Sequence, residues 1–137
     1  MMFQWSADYE IGIRQIDSEH QQLFALAERM QQAMLDGKGK AILTDLLARM
    51  VDYTHYHFTH EEQLMEKIHY PDYREHQQQH QDLRLKVEGM QARAMSGEAT
   101  MTIEVMQFFM AWLKRHTATS DSRIGRFIKS NGLPLPD

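Results

Sequence analysis

The sequence predicts an all-α protein: an up-down-up-down antiparallel four-helix bundle preceded by an N-terminal arm. Three observations carry this reading. Apolar residues recur three and four apart over long stretches, the spacing that faces a bundle core. Strand-like alternation of apolar and polar residues is absent. The helix breakers, Pro71, Pro134, Pro136 and most of the seven Gly, fall between the periodic stretches. The 137 residues suit one domain over 1–137, and 42% hydrophobic with 25% charged is the composition of a chain that buries a core.

The arm occupies 1–16. The first helix is expected over about 17–36, starting near Asp17 or Ser18, where Ser18 and Gln21 stand in capping-box spacing, and stopping at Asp36-Gly37-Lys38-Gly39. The second covers about 41–69 and stops near Tyr70, because Pro71 disfavours helical geometry in the residue before it. The third covers about 72–95 and ends at Ser96-Gly97, where Gly97 suits the left-handed C-terminal position. The fourth covers about 101–130, closed by Asn131-Gly132. Short connections make neighbouring helices antiparallel.

The seams contain polar exceptions. Helix one reads Ile16, His20, Leu23, Ala27, Met30, Met34, and helix two reads Leu43, Leu47, Met50, Thr54, His57, Glu61, Leu64, Ile68. Helix three gives Tyr73, His76, His80, Leu83, Val87, Met90, and helix four gives Val105, Phe109, Trp112, His116. Five His and one Glu thus stand at core positions, spread over all four helices. Buried imidazole and carboxylate groups need partners, either one another or a metal. The pairs His57–Glu61 and His76–His80 are each four apart and project side by side from one helix face.

Helix four also changes register. After His116 the next seam position should be Thr119 or Ser120, yet the apolar pattern resumes at Ile124 and Ile128, which places Asp121 on the seam. A slip of one residue between His116 and Asp121 is what a single π-bulge produces, and such bulges often sit at functional sites. The inward polar set is then His20, His57, Glu61, His76, His80, His116 and Asp121.

The chain has eight His and no Cys. Disulfides, thiolate metal sites and cysteine nucleophiles are excluded, so a metal must use imidazole or oxygen donors. Five imidazoles and two carboxylates exceed what one metal with an open position needs, and they suit two metals among iron, zinc, copper and manganese. If both carboxylates and one oxygen atom bridge two octahedral metals, about eleven of twelve positions are filled. One remaining position suits a diatomic or triatomic ligand. A structural zinc bundle is the plain alternative, and seven donors with a bridging pair exceed a closed tetrahedral site.

At these residues the sequence resembles the bacterial hemerythrins over nearly its whole length. The pattern comprises Phe3, Trp5, Gly12-Ile13, Ile16-Asp17 and His20, then His57-Phe58, Glu61-Glu62, Leu64-Met65 and Tyr70-Pro71, then His76, His80, Trp112-Leu113, His116 and Asp121. The resemblance implies two Fe ions per chain, oxo- or hydroxo-bridged, that bind O2 reversibly and reduce it to a bound hydroperoxide. It assigns His76, His80 and His116 to a saturated iron, His20 and His57 to the iron with the open position, and Glu61 and Asp121 as bridges. It assigns no catalytic residue. One departure is Thr117, which stands directly after the fourth-helix His where the family usually has an aliphatic side chain; it bears on pocket polarity and autoxidation.

The other residues have plainer readings. His55, His60 and His69 lie off the seam and are expected at or near the surface with no ligand role, His60 being the closest competitor to His57. Glu62 reads as a solvated helix charge, with a hydrogen bond to a ligand imidazole as the alternative. Phe24, Phe58 and Trp112 read as core filling that also lines the ligand pocket together with Thr117. Trp5 is expected to pack on the bundle.

The functional expectation is O2 storage, delivery or buffering, with an oxygen-consuming protein as a possible partner. The alternatives are a di-iron enzyme consuming peroxide or nitric oxide, and an oxygen or redox sensor acting through a separate partner, since 137 residues leave little room for a signalling domain. Net charge −4 with dispersed Lys and Arg gives no footprint for nucleic acid. The amino terminus lacks the basic start and apolar stretch of a secretory signal, and no apolar run approaches the roughly 20 residues of a membrane span. A cytoplasmic location without membrane insertion is the expectation.

Overall fold

The computed structural model describes residues 5–37, 40–95 and 101–134. Helix α1 runs Arg14–Leu35, α2 Lys40–Lys67, α3 Tyr73–Met95, α4 Met101–His116 and α5 Ser122–Ser130. A 3-10 turn, Ala7–Tyr9, lies in the arm, and a π turn, Thr117–Asp121, joins α4 to α5 as one continuous fourth rod. No strand occurs among the described residues. Each rod packs on the next in the chain and α1 packs on α4, which closes the four-helix bundle.

Helix α1 begins at Arg14, ahead of the start expected near 17. Its cap residue is Ile13, with no side-chain cap, so the Ser18–Gln21 box does not form the helix start. Asp17 instead accepts hydrogen bonds from the backbone N–H groups of Ile11 (2.8 Å) and Gly12 (3.1 Å). The carboxylate that looked like a helix start folds the arm back onto the helix.

The end of α2 shows how the chain reverses. The His69 N–H donates to the Glu66 carbonyl (3.2 Å) and the Tyr70 N–H to the Met65 carbonyl (2.9 Å), with His69 left-handed at φ 54°. This paired closure satisfies the last carbonyls of the helix, and Pro71 prevents continuation. The fourth rod closes the same way at Gly132, φ 61°, with N–H bonds from Gly132 to Lys129 and from Leu133 to Ile128. Phe3, the Lys38-Gly39 part of the first break, and the Ser96-Gly97 closure lie outside the described residues.

The core has two apolar layers. One joins Leu23, Phe24, Ala27, Met30, Leu47, Met50, Phe58, Leu83, Val87, Phe109 and Leu113. The other joins Ile13, Ile16, Leu64, Met65, Tyr70, Ile124 and Ile128. Each fully buried Leu, Ile or Phe contributes about 1.5–3 kcal/mol, so the layers hold the rods in fixed register. On the fourth rod the buried seam residue is Leu113, while Trp112 is only half-buried against the same layer. Between the layers lie the polar seam residues of all four rods.

Candidate metal centre

The π turn appears where the sequence register slips. Five residues, Thr117–Asp121, take π geometry, and His116 and Asp121 are both buried on the core side of the rod. In a regular α-helix residues five apart point about 140° apart; the wider turn brings them onto one face. The other five inward residues come from unbroken helices: His20 from α1, His57 and Glu61 from α2, His76 and His80 from α3. All seven side chains are buried, none more than 5% exposed.

The seven converge as two groups sharing two carboxylates. The donor atoms of Glu61, His76, His80, His116 and Asp121 lie within 4.8 Å of one another, and so do those of His20, His57, Glu61 and Asp121. Glu61 Oε1 is 2.7 Å from His76 Nε2 and 3.0 Å from His80 Nε2, while Asp121 Oδ1 is 3.0 Å from both His76 Nε2 and His116 Nε2. The other oxygens face the opposite way. Asp121 Oδ2 is 2.8 Å from His20 Nε2, and Glu61 Oε2 is 3.3 Å from His57 Nε2. Each carboxylate therefore gives one oxygen to each group.

This donor set fits metal ions better than it fits internal pairing. Donors about 2.1 Å from a first-row ion stand about 3.0 Å apart when adjacent and about 4.2 Å apart when opposite, and the carboxylate–imidazole separations of 2.7 to 3.9 Å, within groups no wider than 4.8 Å, are compatible with that. His20 Nε2, Glu61 Oε2 and both Asp121 oxygens have close neighbours yet make no hydrogen bond. Orphaned buried polar atoms are costly, so lone pairs aimed at shared points ask for cations.

The electrostatics keep the carboxylates ionised. Burial would raise Glu61, but the neighbouring His57 charge and the close imidazoles of His116, His20 and His57 hold it well below the usual carboxylate range. Burial and the Glu61 charge would raise Asp121, and His116 and His20 overrule them to hold it low. Burial opposes charge on His57, yet Glu61, Glu19 and Asp121 push it up to about 10. His76, also opposed by burial, is pushed up to about 10 by Asp121 and Glu61.

Outer nitrogens have their own acceptors. His57 Nδ1 donates to Glu19 Oε1 at 2.8 Å, and the second Glu19 oxygen takes a short contact from His60 Nδ1. His80 Nδ1 donates to Glu62 Oε2 at 2.9 Å, and Glu62 Oε1 accepts from Gln77 Nε2 at 3.2 Å. Glu62 is thus a partner of His80, the alternative of its two sequence readings. Such outer carboxylates fix imidazole tautomer and raise its basicity toward a metal. Sequence reasoning missed Glu19, buried at 4% exposure. It stands three after Ile16 and four before Leu23, so periodicity allowed it beside His20; the need of an imidazole ligand for an outer acceptor was the signal that could have singled it out.

The remaining candidates flank the cluster. Phe58 stacks on His80 with ring centroids 3.7 Å apart and planes at 3°, and Trp112 stacks on His116 at 4.2 Å and 16°. Phe24 is buried beneath Trp5 and Tyr9, and the Trp5 ring lies 6.4 Å from His20. Thr117 is fully buried and its hydroxyl has no hydrogen-bond partner. His60 and His55 are part-buried and His69 is exposed; none belongs to either donor group. Among the described residues no helix is long and apolar enough to cross a membrane.

Comparison with known proteins gives an independent line. The family described as the hemerythrin HHE cation binding domain matches residues 11–128. A bacteriohemerythrin of Clostridium acetobutylicum is 28% identical over 126 residues, covering 88% of this chain and 96% of that protein. A bacteriohemerythrin of Pseudomonas aeruginosa is 30% identical over 118 residues, covering 86% of this chain and 76% of that protein. One from Stenotrophomonas maltophilia is 28% identical over 127 residues, covering 93% and 82% respectively.

Proposed function

This chain belongs to the hemerythrin family of HHE cation-binding domains, and from that premise we propose that it binds O2 reversibly at a non-haem di-iron centre, as an oxygen store, carrier or buffer. In this reading His76, His80 and His116 hold one iron, His20 and His57 hold the other, and Glu61 and Asp121 bridge them. The observation that supports it is the asymmetry of the donor groups: five donor residues on one side and four on the other, sharing both carboxylates. Five donors would nearly complete the coordination of one iron, whereas four would leave room on the other for a small ligand.

The irons, when bound, supply the electrons that O2 takes up reversibly. The protein's own part is to hold the donors and exclude water. His20, His57, Glu61 and Asp121 are almost fully buried between two apolar layers, which limits solvent and proton access to the open side. Glu19 and Glu62 fix the outer nitrogens of His57 and His80, so the imidazoles present Nε2 inward.

The test is metal analysis followed by oxygenation of the reduced protein. The reading requires two irons per chain and a visible charge-transfer band that forms with O2 and disappears when O2 is removed. A single zinc overturns the metal assignment. Two irons with irreversible oxidation and sustained consumption of peroxide or nitric oxide assign the site to an enzyme instead.

A further inference from the structure

The N-terminal arm crosses the fourth rod where a side chain would block it. A Cβ built on Gly125 would lie 2.1 Å from the Ile11 carbonyl oxygen and 3.1 Å from its carbon. The obstacle is backbone, which cannot swing aside as a side-chain tip can, so any residue but glycine at 125 must lift the arm. On the other side of this crossing, Asp17 holds the arm through the N–H groups of Ile11 and Gly12. Glycine and aspartate thus form two halves of one clasp.

What the clasp holds down is the cover of the four-donor group. The 3-10 turn Ala7–Tyr9 packs against the π turn that carries Asp121. Trp5 and Tyr9 pack on Phe24, with the Trp5 ring 6.4 Å from the His20 ring. Beneath this cover His20 is wholly buried and Asp121 is 1% exposed. The arm segment from Trp5 to Gly12 has a single 3-10 turn as its own regular structure; it is held by the clasp, by aromatic packing and by Ile11 against the second apolar layer, and Ile13 anchors its end in that layer. Segments held by few contacts open locally at far lower free energy than the helices beneath them.

We infer that Gly125 seats the arm, and that the seated arm controls how fast small molecules reach the His20–His57 side of the centre. This rests on the proposed open position on that side. The five-donor side lies under Phe58 and Trp112 instead and does not depend on the clasp.

The experiment compares iron-loaded wild type with Gly125→Ala, Asp17→Ala and the double variant. Amide exchange over residues 5–13 reads the arm. The rate at which azide forms its charge-transfer band with the ferric protein, and the rate at which a chelator extracts iron, read access. Both single variants should speed arm exchange, azide binding and iron extraction by about tenfold or more, with helix melting little changed. The double variant should be no faster than the singles, because both substitutions open one clasp. Unchanged arm exchange in Gly125→Ala overturns the seating role. Faster arm exchange with wild-type azide and extraction rates overturns the control of access. If Gly125→Ala does not fold at ambient temperature, its exchange profile at lower temperature carries the seating test and Asp17→Ala carries the access test. Wild-type ferric protein that takes up no azide refutes the open position, and chelator extraction still decides whether the arm is its cover.

Discussion

Glu19 accepts a hydrogen bond from His57, Nδ1 to Oε1 at 2.8 Å, with both side chains buried. The bond ties a helix α1 carboxylate to a helix α2 imidazole whose other nitrogen faces the shared carboxylates. Glu19→Gln keeps the size and loses the charge, so it should weaken metal binding about 10–100-fold on the four-donor side. Glu62→Gln should do the same on the five-donor side through His80. Competitive metal titration of the two variants checks the assignment, and equal effects on both sides would count against separate roles.

Ligand and outer-shell histidines should separate by metal content. His57→Ala removes a donor of the four-residue group and should leave about one iron per chain. His60→Ala removes contacts to Glu19, Gln15 and the Tyr56 ring but no donor of either group, and should retain two, with a modest loss of affinity. Iron analysis after loading and gel filtration decides it; loss of an iron in His60→Ala would transfer the ligand role.

The metal-free protein should be sensitive to alkali. His57 and His76 are pushed from 6.5 up to about 10 in the folded chain by carboxylates that overcome burial. A raised folded pKa contributes stability that is full below the unfolded value and fades as pH rises through the folded one. The melting temperature of the metal-free form should therefore fall between about pH 6.5 and about 10, while metal affinity rises over the same window as protons leave the imidazoles. The depressed Glu61 and Asp121 act oppositely, contributing stability above their unfolded values that is lost in acid. A flat melting profile from pH 6.5 to 10 would refute this coupling.

Thr117 holds a buried hydroxyl with no partner. Thr117→Val keeps the shape and removes an unsatisfied polar atom, so it should raise stability by about 1 kcal/mol in chemical denaturation. The sequence singled out this position as the polar departure beside His116, and the same variant should slow autoxidation of the oxygenated protein. A destabilised Val variant would show that the hydroxyl has a bonding role.

The periodicity of one chain was enough to determine the four rods, the seven inward polar residues and the slip between His116 and Asp121, because helix phase is a local property. A seam residue faces the core whatever lies opposite, and a one-residue slip must widen the helix wherever the rod is placed. Tertiary structure alone decided which Glu61 oxygen faces which imidazole, that Glu19 lies behind His57, and that the Ile11 backbone rests on Gly125. Those are contacts between rods, set by their rotation and height against the two apolar layers, and no spacing within a single helix encodes them. The start of α1 belongs to the same class: Asp17 read as a helix beginning until its carboxylate met the arm folding back over it.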